Sequence, residues 1–471
     1  MLIVIGISRF GVPLMLNSFP VYLPGLLSSL DIAADLVPYY VGICSSIWSI
    51  TTCITSPFWG RCSDSYGRKP AILLSNILFL FSVLLFGFAG KLWLILAVMG
   101  FLGFAGGMTP VLHTTVAELV TQKELQPMAF SLIPLMWTIA SMVGPLVGGF
   151  LADPTARYPS IFGENQFFMK FPYSLLNIVV AIPFFIGCVV GFLFLKVCYL
   201  NRMKLVGEAT DICTGNFGRK ASSVQQSLPN LFLLEIFTQQ SVLSLIYICF
   251  LQTHSKLFDE FLPTYMQAVP SPTEPTPPTY QSSALVDFTI FPGGLSFTSH
   301  TAALYLTAYG LSAILIQLLI FPRLAPSLGP IRCLRIASSV YPFVYFLTPY
   351  LSVLSETPVL RGICTVVLLA MKAGCGIFAF PSSRILLCNS ATKGGLGTLN
   401  GISSSSQQLM RAIVAVGVGK LFSLGLQNGI IVLPWWTLSF VSMGGLGTVV
   451  WLRDEREGGG SIGSEERTSG S

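Results

Sequence analysis

Charge is what this sequence has least of. Only 10% of its 471 residues are Asp, Glu, Lys or Arg, whereas a soluble domain usually carries about 25% to solvate its surface. That shortage excludes a set of water-facing globular domains and makes lipid the expected solvent. Histidine is also scarce, with three residues in the chain. No glycine-rich phosphate loop is present, so ATP is not the expected energy source. The eleven cysteines lack paired spacing. They are scattered through apolar stretches, as at Cys44, Cys188, Cys249 and Cys364, and read as small packing groups rather than zinc or redox ligands. No basic segment precedes the first apolar stretch, so a cleaved signal peptide is not expected and the stretch reads as a spanning helix. No enzyme chemistry is visible, and no cofactor or metal is expected. The net charge of +6 comes from basic residues set between apolar blocks rather than gathered on one face, which argues against a nucleic-acid partner.

What the sequence does have is apolar length, with 53% hydrophobic residues and a mean hydropathy of +0.73. A bilayer core of about 30 Å takes ~20 apolar residues of helix, and windows of that size recur along the chain. They are Ile3 to Leu23, Tyr39 to Trp59, Ala71 to Ala89, Leu92 to Thr115, Phe130 to Leu151 and Tyr173 to Leu195, then Val242 to Met266, Ala302 to Phe321, Leu334 to Leu351, Ile363 to Phe380, Ile402 to Leu424 and Ile431 to Trp451. The expected fold is therefore all-α and polytopic, with about twelve transmembrane helices in two six-helix halves.

Basic residues near helix ends stay on the cytoplasmic side. With the N-terminus inside, the inner loops hold seventeen Lys and Arg residues and the outer loops only Lys91, Arg157, Lys170 and Arg361. Both termini are expected in the cytoplasm. The expected divisions are 1–198 for the first half, 199–240 for a polar cytoplasmic linker, 241–452 for the second half and 453–471 for a disordered tail rich in Gly, Ser and Glu. The outer stretch with Pro270, Pro272, Pro275, Pro277 and Pro278 should be an extended connector.

Between the second and third windows stands GRCSDSYGRKP, with Gly60, Asp64, Gly67, Arg68 and Lys69 in an expected short loop whose glycines permit a tight turn. It resembles the signature loop of the major facilitator superfamily, and its position after the second helix is the one that family uses. The resemblance implies that Asp64 and Arg68 brace the cytoplasmic ends of the two halves and that Glu118 joins them. In the fifth window Gly144, Pro145, Gly148 and Gly149 form GPLVGG, which strips side chains from one face and removes a backbone donor, allowing a kink and a close helix approach. It is similar to the antiporter motif of the drug:proton antiporter branch, with Ala140 where a further glycine normally stands. FPVYLP, FPYSLLN, FDEFLP, AFPSSRILLCNSA and LGTLNG extend the likeness to the fungal and plant wing of that branch, related to zinc-induced-facilitator-like transporters, across both halves.

Two departures from the family pattern stand out. Val12 occupies the place of an acid in helix one, removing a proton carrier, and Met99 occupies that of an intramembrane Arg in helix four; His113 stands where a cation is often found. The cysteine motifs of the zinc-induced-facilitator subgroup are not visible.

An ionisable group at the bilayer centre costs at least ~2.5 to 3.5 kcal/mol and so needs a partner or a purpose. Arg9 lies deep in helix one and is a candidate for an anion or carboxylate contact in the central cavity, or for a structural pair with a neighbouring helix. In helix seven, spacings of three and four residues put Lys256, Asp259 and Glu260 on one face, where Lys256 can pair with either acid. Asp259, roughly 26 Å along that helix, is expected near the outer surface. Its group reads as an interfacial salt bridge or a proton relay. His254 reads as a hydrogen-bonding fixture or a titrating group, and Arg411 as a polar cavity wall or a contact across the halves. Taken together, these features point to a secondary transporter working by alternating access. The first expectation is proton-coupled export of small organic or amphiphilic compounds. The alternatives are an uncoupled facilitator or uptake carrier, which Val12 and Met99 would fit, and a non-transporting degenerate copy. The expected partners are a small-molecule substrate, protons and the lipid bilayer of a plasma or vacuolar membrane, with the protein a monomer.

Overall fold

The computed structural model describes residues 2–109, 111–112, 115, 126–163, 165–194, 237–268, 293–390 and 396–453. Glu118, His113, most of the 199–240 linker, the Pro270 to Pro278 stretch and the tail after Arg453 lie outside the described residues, as does the side chain of Asp64.

Among the described residues every long element is helical. The first half comprises α1 (Leu2–Arg9, continued past Phe10 by Gly11–Ser28), α2 (Val37–Tyr66), α3 (Arg68–Gly87), α4 (Leu92–Gly106), α5 (Gln126–Phe150) and α6 (Ser174–Phe194). The second comprises α7 (Gln239–Gln267), α8 (Ser299–Leu315, extended by a π turn at Ile316–Ile320), α9 (Phe321–Leu347), α10 (Pro358–Asn389), α11 (Leu396–Gln427) and α12 (Leu433–Trp451). Each of the twelve apolar windows coincides with one of these. Among the described residues seven stretches, one of them spanning α8 and α9 together, are long and apolar enough to cross a membrane by length and composition alone. The others are shorter, more weakly apolar or, like α7, interrupted by charge.

The helix ends correct one expectation. Gly60 and Asp64 are not in a loop, because α2 continues to Tyr66. At 30 residues and 1.5 Å per residue the helix is ~45 Å long, so its last turns project beyond a 30 Å hydrocarbon core. The turn is confined to Gly67, whose φ of 94° lies where a side chain would be strained. The second half repeats the device: α9 is broken at Gly329, with φ 75° and ψ 164°, against 94° and 162° at Gly67. Gly67 stands just before the third helix of its half, and Gly329 stands in the first part of the third helix of the other.

Many large apolar side chains on the outside of the bundle are exposed, among them Ile54, Phe81, Phe192, Phe343 and Phe440. In a bilayer these face acyl chains and cost nothing. Buried polar groups instead pair between helices, some within one half, as Tyr22 does with Asn177, and some across the halves, as Ser46 does with the Ala412 carbonyl.

Small residues bring the helices of the two halves together there. A Cβ added at Gly42 of α2 would lie 2.5 Å from the Ala415 carbonyl oxygen of α11, and one at Gly419 of α11 would lie 2.7 Å from that of Pro38. At Gly144 and Gly148 of α5 an added Cβ would meet Asn17 and Ser18 of α1, while at Gly149 it would collide with Ala303 of α8. The GPLVGG face thus packs against one helix of its own half and one of the other, the close approach its composition predicts.

Candidate functional site

A cavity of about 130 Å³ lies between the halves, lined by α1, α2, α4, α5, α7, α8 and α11. Its walls are largely apolar, with Met15, Phe19, Trp48, Met99, Leu102 and Trp137, and its polar groups converge from α7 and its neighbours. Helix α7 supplies Lys256, Asp259 and Glu260 on one face, as their spacing predicts, and α11 supplies Arg411.

The partners of these groups differ from the expected ones. Asp259 is paired with Lys372 of α10, and Tyr309 of α8 donates to the same carboxylate oxygen at 3.3 Å. Lys372 also donates to Tyr309 Oη at 2.8 Å. The lysine is 2% exposed and the aspartate 32%, so the acid faces the cavity and its counter-ion stands behind it. Asp259 is therefore no surface group. Packing against Tyr309 of α8 and Lys372 of α10, and not distance along α7, sets how enclosed the carboxylate is. Glu260 is paired with Arg411 at 3.0 Å and accepts a hydrogen bond from Ser45 of α2 at 2.7 Å.

Lys256 pairs with neither acid. Its ammonium sits 4.2 Å from the ring centroid of Trp137 on α5 and 5.8 Å from that of Phe380, and among the described residues it forms no ion pair. A pair within one helix is worth only about 0.2–0.5 kcal/mol, too little to hold the acids against cations from α10 and α11. An aromatic face holds the leftover lysine by about 0.5–2 kcal/mol. The Nε of Arg411 and the Oε1 of Gln408 are buried without partners.

Arg9 is not in the cavity. It is 6% exposed, donates to Ser75 Oγ at 3.0 Å and Asn76 Oδ1 at 3.1 Å of α3, and lies 5.7 Å from the Phe79 ring centroid. Asn76 in turn donates to the carbonyl and hydroxyl oxygens of Ser8, each at 2.8 Å. The cluster joins α1 to α3 within the first half, the structural alternative for this residue. Two neutral oxygens take the Nη1 donors and the Phe79 ring lies against the guanidinium, so no carboxylate is used here. His254 also lies outside the cavity, buried with Nδ1 2.8 Å from Tyr345 Oη and its ring centroid 4.8 Å from that of Tyr341.

In the signature segment, Arg68 donates to Ser63, and Lys69 donates to the Phe192 carbonyl of α6 at 2.8 Å. Of the expected brace of Asp64 and Arg68 joined by Glu118, the Asp64 side chain and Glu118 fall outside the described residues. Pro145 and Met99 both line the cavity. Among the described residues no three His, Cys, Asp or Glu side chains gather as a metal site.

Sequence reasoning left Lys372, Tyr309, Trp137 and Ser45 out of the site. Lys372 carried a signal, as a lysine inside the apolar run LLAMKAGCG. The other three are ordinary helix residues whose position depends on which face of a neighbouring helix they meet.

The sequence profile of the family described as Major Facilitator Superfamily matches residues 5–415. The chain is 28% identical to the major facilitator superfamily multidrug transporter mfsB of Aspergillus fumigatus, over 100% of this chain and 86% of that one. It is 24% identical to the protein ZINC INDUCED FACILITATOR 1 of Arabidopsis thaliana, covering 82% and 76%, and 25% identical to the efflux pump azaK of Aspergillus niger, covering 89% and 81%. A crystal structure of a D-xylose-proton symporter superposes with a TM-score of 0.67 over 96% of this chain and 97% of that one, at 13% identity, a likeness of fold alone.

Proposed function

The chain belongs to the major facilitator superfamily and is a membrane transporter, and on that premise we propose that it exports small organic, amphiphilic compounds by proton-coupled alternating access. The observation that carries this reading is the cavity between the halves, apolar over most of its wall, with Asp259 and Glu260 as its acids. These carboxylates supply the proton sites that Val12 does not.

Glu260 is the better placed of the two for coupling, since it is held at once by Ser45 of one half and Arg411 of the other. Protonation removes its charge and weakens both contacts, freeing the halves to rock apart there. The GPLVGG face of α5 is the sliding surface against α1 and α8. The names of relatives, a multidrug transporter and an efflux pump, favour outward transport. We assign residues 1–198 and 241–452 to the two rocking halves, with both termini cytoplasmic, a monomer in a plasma or vacuolar membrane. A second reading, uncoupled carriage, is favoured by the neutral Val12 and Met99.

The test is the lumenal pH of proteoliposomes that receive amphiphilic compounds under an imposed proton gradient. Compound-dependent pH change that disappears with Glu260→Gln supports coupled export. Compound flux without proton movement supports the uncoupled carrier, and folded protein that moves nothing sinks both.

A further inference from the structure

The charges around the cavity do not balance. Lys256, Lys372 and Arg411 stand against Asp259 and Glu260, a net charge of one positive among the described residues. Each acid is in contact with one of two cations, and the remaining one, Lys256, lines the cavity against the Trp137 and Phe380 rings with no ion pair among the described residues. A cation left unpaired within the membrane is costly and marks a site whose partner comes from elsewhere. Arg411, whose side chain is 20% exposed, adds a second positive charge, its guanidinium, to the wall of the same cavity while giving one terminal nitrogen to Glu260.

We propose that the cavity takes organic monoanions, an aromatic or similarly apolar body carrying one carboxylate, sulfonate or equivalent group, with Lys256 as the countercharge, Arg411 as a further positive group in the wall and Trp137 as the flat face against which the body lies. The proposal rests on the export reading and gives it a substrate class. A monoanion brings the cavity to neutrality without breaking either existing ion pair, whereas a cation would have to displace Lys372 or Arg411 and raise the positive excess. Charge neutrality also has a consequence for energetics. One negative charge leaving a negative interior is carried down the potential, so a monoanion that moves alone accumulates about fifty-fold at ~100 mV, and the missing acid at Val12 is then no obstacle.

The experiment uses the full-length protein in proteoliposomes with an imposed potential of either sign. Three probes share one ring system: naphthalenesulfonate, permanently anionic and slow to leak; its neutral sulfonamide; and naphthyltrimethylammonium. Sulfonate flux that follows the sign of the potential and exceeds that of the cation at least tenfold is expected. Lys256→Gln should lower sulfonate flux at least tenfold, Lys256→Arg should preserve it, and Lys256→Glu should turn preference toward the cation. Transport of the cation or the amide with none of the sulfonate overturns the monoanion assignment while leaving export intact. An unchanged preference in a folded Lys256→Glu protein also overturns it, and folded protein that carries none of the three overturns the export reading as well.

Discussion

Ser45 and Glu260 are separated by 215 positions in the chain, yet the hydroxyl of one donates to the carboxylate of the other at 2.7 Å. Arg411 donates to the same carboxylate oxygen at 3.0 Å. One side chain therefore reports whether the halves are together at that level of the membrane. Close by, Ser46 of α2 donates to the Ala412 carbonyl of α11, and toward the end of the same helix pair Gln427 donates to Asp35.

Ser45→Ala should shift the resting population toward the conformation in which these ends are apart. A hydrogen bond to a charged group is worth about 1.5–3 kcal/mol, which corresponds to tenfold or more in the equilibrium. Spin labels at the exposed positions 33 and 428 would show a longer distance population in the variant. An unchanged distribution would mean that Ser45–Glu260 does not set the balance.

Lys372→Met should be more damaging than loss of the pair. It leaves Asp259 charged and without its counter-ion, a defect of about 3–5 kcal/mol in a buried pair, here toward the low end because a third of the acid faces the open cavity. The double variant Lys372→Met with Asp259→Asn should recover most of the lost thermal stability in detergent. Additive losses in such a cycle would show the two residues uncoupled.

Gly148→Val should abolish transport by wedging α5 away from α1. An added Cβ already lies 2.6 Å from the Ser18 carbonyl oxygen, and overpacking costs about 1–3 kcal/mol before the two further methyls are counted. Flux should fall at least tenfold in protein that still reaches the membrane, and Gly148→Ala should give an intermediate value. Normal flux in Gly148→Val would show that the close approach is dispensable.

Arg9→Met should lower stability and leave substrate affinity untouched. Removing the guanidinium strands the buried Asn76 Oδ1, at about 1–3 kcal/mol for a stranded group, while Ser75 keeps its bond to the Ala105 carbonyl and the cavity loses nothing. The KM of the folded fraction should stay within about twofold of the parent with a lower Tm. A large rise in KM at unchanged stability would return Arg9 to the substrate site.

The sequence reached the fold because lipid imposes it. Twelve windows of the right length, a loop charge bias and a mid-chain polar break leave few architectures, since a backbone in hydrocarbon must satisfy its hydrogen bonds within each helix. It also placed Lys256, Asp259 and Glu260 on one face of α7, because helical periodicity is local. The matching glycine breaks at Gly67 and Gly329 were present in the sequence too, but only their shared backbone angles reveal the repeat.

Pairing was beyond the reach of periodicity. Arg9 and Lys372 are both single basic residues in apolar helices, and nothing along the chain says that one meets Ser75 and Asn76 while the other stands behind Asp259. That depends on the rotation and crossing of α1, α3, α7 and α10 about their own axes. The sequence by itself determined that this protein spans the membrane as a helical transporter and which residues would be too costly to leave idle there. The tertiary structure alone decided which of those charges neutralise one another and which, Lys256 among them, is left over, because partner choice in a low-dielectric interior is settled by the few ångströms that separate one helix face from the next.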